Sequence, residues 1–140
     1  MSVYLDTNQY LTLGVITMHD HVFVFGSNLA GRHGKGAALT AAKEYGAVYG
    51  IGRGPTGWAY AIPTKTANLG IRTKLQIKLD VREFVNFANN NTHIKFKITR
   101  VGCGLAGYKD EDIAPMFEGI GDNCYIDPLW SKYLPHVKTF

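Results

Sequence analysis

A chain of 140 residues, 46% hydrophobic and 19% charged, can bury a core of its own as a single domain over 1–140 and needs neither disulfides nor a structural metal to hold it. Two cysteines, Cys103 and Cys124, make no disulfide framework, no charged leader precedes an apolar run, and no apolar stretch approaches the roughly 20 residues of a membrane span, so a cytoplasmic protein with no membrane partner is expected. The net charge of +4 suits an anionic ligand, but the lysines and arginines are scattered and form no basic helix or nucleic-acid module.

Residues 10–25 read as two or three short strands, rich in β-branched and aromatic residues and interrupted at Met18-His19-Asp20. Gly36 opens an alanine-rich helix over about 37–45 that Gly46 can end. A glycine-rich turn over 50–57 leads into a strand over 58–62 that Pro63 stops, and 64–74 form a polar loop. Val81, Phe84, Val85 and Ala88 fall at helical spacing in a helix over about 80–89, closed by Asn89-Asn90-Asn91. A strand over 96–101 follows, then a short helix over about 110–118. The remainder of the chain, through Asp127-Pro128-Leu129-Trp130, is expected to form a short strand or turn and a small terminal helix. Strands alternating with helices, without repeat or linker, predict an α/β fold of three layers, α/β/α, around a mostly parallel sheet. Ligands of such folds sit beyond the carboxyl ends of the strands.

Two glycine-rich loops lie at such ends. Val22-Phe23-Val24-Phe25 runs into Gly26-Ser27-Asn28-Leu29-Ala30-Gly31-Arg32-His33-Gly34-Lys35-Gly36-Ala37, and the strand ending Arg100-Val101 runs into Gly102-Cys103-Gly104-Leu105-Ala106-Gly107-Tyr108. Glycine lets backbone N–H groups approach a ligand closely, and a loop that feeds a helix N-terminus makes an anion site. Two such loops predict a ligand with two phosphates, or with a phosphate and a sugar. The second loop is a literal G-x-G-x-x-G, but only about 30 residues follow it, too few for the paired βαβ halves of a dinucleotide domain. Gly52-Arg53-Gly54-Pro55-Thr56-Gly57 matches the same pattern ahead of its strand, in the wrong order, and reads as a turn.

Single residues carry alternatives. Asn28 can hold ribose hydroxyls, orient a water or cap its turn. Lys65, at a strand end, can touch phosphate, act as a nucleophile if its pKa is depressed, or remain an exposed charge, which the sequence favours. Cys103 between two glycines reads as a packed small residue rather than a nucleophile. His19, Asp20, His21 and His33 do not make a convincing metal set, and no metal or cofactor is expected.

Gly14-Val15-Ile16-Thr17, the strand 22–25 ending near Asn28, and Gly34-Lys35-Gly36-Ala37-Ala38 together resemble the front half of a macrodomain. Arg100-Val101-Gly102-Cys103-Gly104-Leu105 resembles its second binding loop, in the style of the branch that removes ADP-ribose from carboxylates. The likeness covers roughly residues 10–118. It implies a macrodomain fold and a ligand of the ADP-ribose type, free or carried on a macromolecule. Residues 34–37 and 102–107 would cradle the diphosphate, Asn28 would face the distal ribose with Tyr108 near it, and Gly26 and Ser27 would belong to the same ligand-binding set. Lys65 would be the nucleophile at C1″ if the protein is an ADP-ribosyl glycohydrolase. Two departures stand out: Ala106 replaces the branch's catalytic Asp, with Asp110, Glu111 or Asp112 as substitutes, and Val15 replaces the Asp that holds adenine, with Asp20 as a substitute. Small size suggests a stand-alone phage or bacterial protein. The competing functions are a non-catalytic reader or sponge of a nucleotide signal, which Ala106 favours, and a phosphoribohydrolase, whose Glu-bearing Pro-Gly-Gly loop is missing here.

Overall fold

The run Val22 to Phe25 is apolar at every position, as befits a strand covered on both faces. The computed structural model, which describes residues 19–140, places it in β1 (Val22–Asn28), inside a six-stranded sheet. The other strands are β2 (Gly54–Thr56), β3 (Ala59–Lys65), β4 (Phe96–Ile98), β5 (Cys124–Ile126) and β6 (Lys138–Thr139), in the spatial order β2-β3-β1-β4-β5-β6. Every neighbouring pair is parallel except β2 with β3. Val22 and Val24 point into one core with Tyr60, Ile62, Phe96 and Ile98, whereas Phe23 and Phe25 point into a second with Ala59 and Ala61.

Helix α1 (Gly36–Tyr45) covers the second core. Its Ala38 and Ala41 are small enough for close packing, and Tyr45 stacks on Phe23 with ring centroids 4.5 Å apart. Gly46, at φ 73°, takes the left-handed conformation that ends the helix. The other core is covered by α2 (Lys74–Asn89) and by the short α3 (Asp110–Ile113) with its 3-10 continuation Ala114–Phe117. The fold is therefore a three-layer α/β/α arrangement around a mostly parallel sheet. Among the described residues no helix is long and apolar enough to cross a membrane.

Four local expectations are corrected. Pro63 does not stop its strand: β2 pairs with β3 only as far as Ala61, so Pro63 meets an open edge, and its carbonyl accepts Arg72 Nη1 at 2.8 Å. Helix α2 begins at Lys74 rather than near Asp80. Thr73 caps it, accepting the Gln76 N–H while Gln76 Oε1 accepts the Thr73 N–H, a reciprocal capping box. The expected turn over 50–57 contains strand β2. After β5 the chain makes a 3-10 turn, Pro128–Trp130, and closes as edge strand β6 in place of the expected small terminal helix. The strands expected before residue 19, and the Gly14-Val15-Ile16-Thr17 turn, lie outside the described residues.

The loop after β1 is pressed against the segment leading into β2, backbone to backbone. A Cβ on Gly52 would stand 2.1 Å from the Asn28 carbonyl oxygen. Gly52→Ala is therefore expected to destabilise the protein by about 2 kcal/mol, in the range of core overpacking, whereas Gly104, whose Cβ direction is open, tolerates alanine. Urea denaturation of both variants checks this; equal midpoints would contradict the packing.

Candidate functional site

From β1 the chain moves to β3 on one side, then crosses to β4 on the other side of β1. The connections after β1 and β4 therefore leave toward opposite layers, and a crevice opens between them at the carboxyl edge, the topological switch point of the sheet. A cleft of about 710 Å³ occupies this place, floored by the ends of β1, β3, β4 and β5.

Its two walls are the glycine loops. On one wall the first turn of α1 presents the N–H groups of Gly36, Ala37 and Ala38, since Leu39 is the first to bond back, to Lys35 O at 3.2 Å. Lys35 at the N-cap supplies no side-chain cap, and no acidic residue stands in the first turn, so the positive end of the helix is unopposed. On the other wall the second loop is folded by Cys103 N–H to Arg100 O at 3.1 Å, Gly107 N–H to Gly104 O at 3.0 Å and Tyr108 N–H to Gly102 O at 2.9 Å. Among the described residues the N–H groups of Gly104, Leu105 and Ala106 have no acceptor. The walls meet where the Cβ direction of Gly36, at φ 58°, reaches to 4.0 Å from Leu105 Cδ1.

The cleft collects most of the residues that the sequence singles out. Gly26, Ser27, Asn28, Gly34, Lys35, Gly36, Ala37 and Lys65 line it, as do Gly102, Cys103, Gly104, Leu105 and Ala106. Gly107 and Tyr108 do not. The Tyr108 hydroxyl is turned away and donates to the Arg72 carbonyl at 2.5 Å. Asn28 is buried, and its amide closes the first loop: Nδ2 donates to Arg32 O at 2.8 Å and Oδ1 accepts Arg32 N–H at 2.9 Å. That fixes the amide plane and leaves one N–H and one lone pair for a ligand. Lys65 ends β3 beside Asn28 and makes no ion pair among the described residues.

The acids behave differently. Asp110 is gripped by Arg100 through two 2.8 Å bonds and by Trp130 Nε1 at 2.7 Å. The bonds from Arg100 bring its pKa down to about 2 against the opposing effect of burial, helped by Trp130 and Cys103, so it has no proton to give at neutral pH. Asp112 pairs with Lys74 at 3.2 Å and Glu111 is exposed; none of the three lines the cleft. Asp20 precedes the amino end of β1, across the sheet from the cleft, and bonds His21 at 2.8 Å, so it cannot replace a base-holding carboxylate there. Cys103 keeps its proton: burial, then a hydrogen bond with Asp110, pushes the thiol up to about 12.

His19, His21 and His33 are engaged with Glu44 O, with Asp20 and the Tyr45 hydroxyl, and with Val48 O; among the described residues no three potential ligands converge on a metal. Sequence reasoning missed Thr64, Leu69, Thr99 and Asp127 in the lining and named Arg100 only as part of the second loop. Thr64 lies near the carboxyl end of β3, Thr99 and Asp127 directly follow β4 and β5, and Leu69 stands in the loop four residues beyond β3. Leu69 is also in the left-handed region at φ 66°, held there by the Thr66 turn, so an exposed leucine is strained at the mouth of the cleft.

No protein-family model matches the sequence, and a search of curated proteins finds no similar chain. A solved structure of a protein of unknown function from Bacteroides thetaiotaomicron is similar to this chain with a TM-score of 0.53 at 15% identity, over 88% of this chain and 94% of its own. At that identity the likeness concerns the fold.

The grip on Asp110 carries a pH dependence. Its folded pKa lies below the ordinary carboxylate value of about 3.9, so its stabilisation is complete above about pH 4 and is lost as pH falls toward 2. Asp110→Asn is expected to lower the melting temperature at neutral pH and to flatten its fall between about pH 4 and 2; thermal melts across that range check it, and an unchanged slope would contradict it.

Proposed function

We propose that the cleft binds ADP-ribose or a closely related nucleotide derivative by its diphosphate. The observation that carries this reading is the pair of N–H sets that have no acceptor among the described residues, one from the first turn of α1 and one from Gly104 to Ala106, on the two walls of the cleft at the switch point of the sheet. Each set suits one phosphate, and Arg32, Lys35 and Lys65 around them favour negative charge without demanding a metal. A cavity of about 710 Å³ fits a nucleotide bearing a second sugar. The resemblance of both loops to those of macrodomains supports ADP-ribose within this class.

Binding without chemistry is the primary reading. Ala106 stands where the resembling glycohydrolases carry their Asp, Cys103 stays protonated, and Asp110 is committed to Arg100. A specific observation favours hydrolysis as the second reading: Lys65 faces the cleft without a counter-ion among the described residues, beside the fixed amide of Asn28. In that case Asn28 orients the distal ribose, and Lys65 or a water bonds to C1″ as the C1″–O bond to the modified carboxylate breaks; the carboxylate leaves as the anion, the attacking group's proton passes to solvent, and a lysine adduct is released by a second water.

Titration calorimetry with ADP-ribose, against AMP and NAD, tests binding. Gly34 and Gly104 have open space in their Cβ directions, so Gly34→Val and Gly104→Val keep the fold while filling the cleft. Each is expected to weaken ADP-ribose binding at least about tenfold, roughly 1.4 kcal/mol, with an unchanged melting temperature. Wild-type protein that does not bind, or valine variants that bind equally well, would refute the site. Lys65→Ala separates the two readings: a reader keeps most of its affinity, whereas a lysine-dependent hydrolase loses turnover of ADP-ribosylated carboxylates.

A further inference from the structure

Among the described residues the charged side chains that line the cleft are cationic with one exception. Arg32, Lys35, Lys65 and Arg100 contribute positive side chains, and Asp127 contributes the one carboxylate among them. Asp127 stands immediately after β5, on the far side of β4 from the first loop. Its Oδ1 accepts the Leu129 N–H at 2.9 Å, which holds the carboxylate in place at the start of the 3-10 turn. Arg100, whose charge Asp127 feels, turns Nε and Nη2 to the two oxygens of Asp110 instead. Among the described residues Asp127 makes no ion pair within 4 Å and its second oxygen no hydrogen bond, and the residue lines the cleft.

We propose that Asp127 is the ribose-recognising residue of this site, accepting the hydroxyls of a cis-diol on a sugar whose phosphate lies between the two loops. The inference rests on the phosphate reading above and adds a direction to it. An ionised carboxylate only accepts hydrogen bonds, so it repels a phosphate and welcomes paired O–H donors. Lys65 and Asp127 end strands three places apart, about 14 Å at ordinary strand spacing, and the phosphate position between β1 and β4 lies about 7 Å from each end. That is the reach of one sugar. The phosphate sits over the central strands, its ribose runs toward β5, and the rest of the ligand extends toward Lys65. A ligand without the diol leaves the carboxylate facing the cleft without donors, which is the condition under which a polar site discriminates most strongly.

Ribose 5-phosphate and 2-deoxyribose 5-phosphate are the smallest probes of this subsite, with inorganic phosphate as the reference. Wild-type protein is expected to prefer the ribose compound roughly tenfold, and Asp127→Ala to bind both equally. Asp127→Asn keeps an oxygen for the Leu129 N–H and so preserves the turn; it is expected to lose most of the preference while holding inorganic phosphate at least as well as wild type, because a repelling charge is gone. Equal binding of the two sugars by wild type, or a preference that survives in both variants, overturns the assignment of Asp127 and leaves the phosphate site standing. Failure of wild type to bind any of the three phosphates, or ADP-ribose, overturns the phosphate reading and this inference with it.

Discussion

The buried ion pair between Arg72 and Asp80 ties together four parts of the chain. Both residues are 8% exposed. Arg72 Nη1 donates to Asp80 Oδ2 at 2.5 Å and to the Pro63 carbonyl, which ties the start of α2 to the open edge of β3. Arg53, from the segment before β2, completes the carboxylate with bonds of 2.6 and 3.2 Å. The Tyr108 hydroxyl donates to the Arg72 carbonyl, so the second glycine loop rests on the same cluster. Burial raises the pKa of Asp80, but the hydrogen bonds and charges of Arg53 and Arg72 outweigh it and hold the group below its ordinary value. Removing one partner of such a pair leaves a buried charge uncompensated, at a cost of about 3–5 kcal/mol. The loop whose Gly104, Leu105 and Ala106 N–H groups have no acceptor among the described residues is thus fixed by an interaction outside the cleft lining.

The cleft itself follows from the order of the strands. Because β1 is followed by β3 on one side and then β4 on the other, its two flanking connections diverge, and neither can fill the gap between them. At Gly36 to Ala38 and at Gly104 to Ala106 the connections are short of polar side chains, so the groups they turn to a ligand are those of the backbone. Rigid N–H donors of this kind need no reorganisation when an anion arrives. Gly26 brings the end of β1 close to the second loop: a Cβ there would stand 3.4 Å from the Gly102 nitrogen, in close van der Waals contact.

Much of this architecture is legible before any coordinates. β1 and its doubly covered apolar run, α1 with its Gly46 terminus, and both glycine loops follow from side-chain chemistry that is local. The parts that are not legible depend on partners distant in sequence. Pro63 reads as a terminator until the short reach of β2 exposes its edge, and the first turns of α2 alternate Leu75, Ile77 and Leu79 in a strand-like period although only Ile77 is buried. Tyr108 follows the second loop directly, yet its hydroxyl is taken by Arg72, 36 residues earlier. Asp127 sits in an unremarkable Asp-Pro turn, and only the sheet order brings it to the cleft. The acids nearest the second loop in sequence, Asp110 and Asp112, look like better candidates but are tied to Arg100 and Lys74.

The central claim is that backbone N–H groups from two loops converge on one phosphate-bearing ligand. Amide proton–nitrogen NMR spectra recorded during a titration with ADP-ribose test it most directly, because they observe those groups themselves. The largest shifts are expected on Gly36, Ala37 and Ala38 together with Gly104, Leu105 and Ala106, moving with one common saturation curve. Shifts confined to one of the two loops, or concentrated elsewhere on the surface, would contradict it.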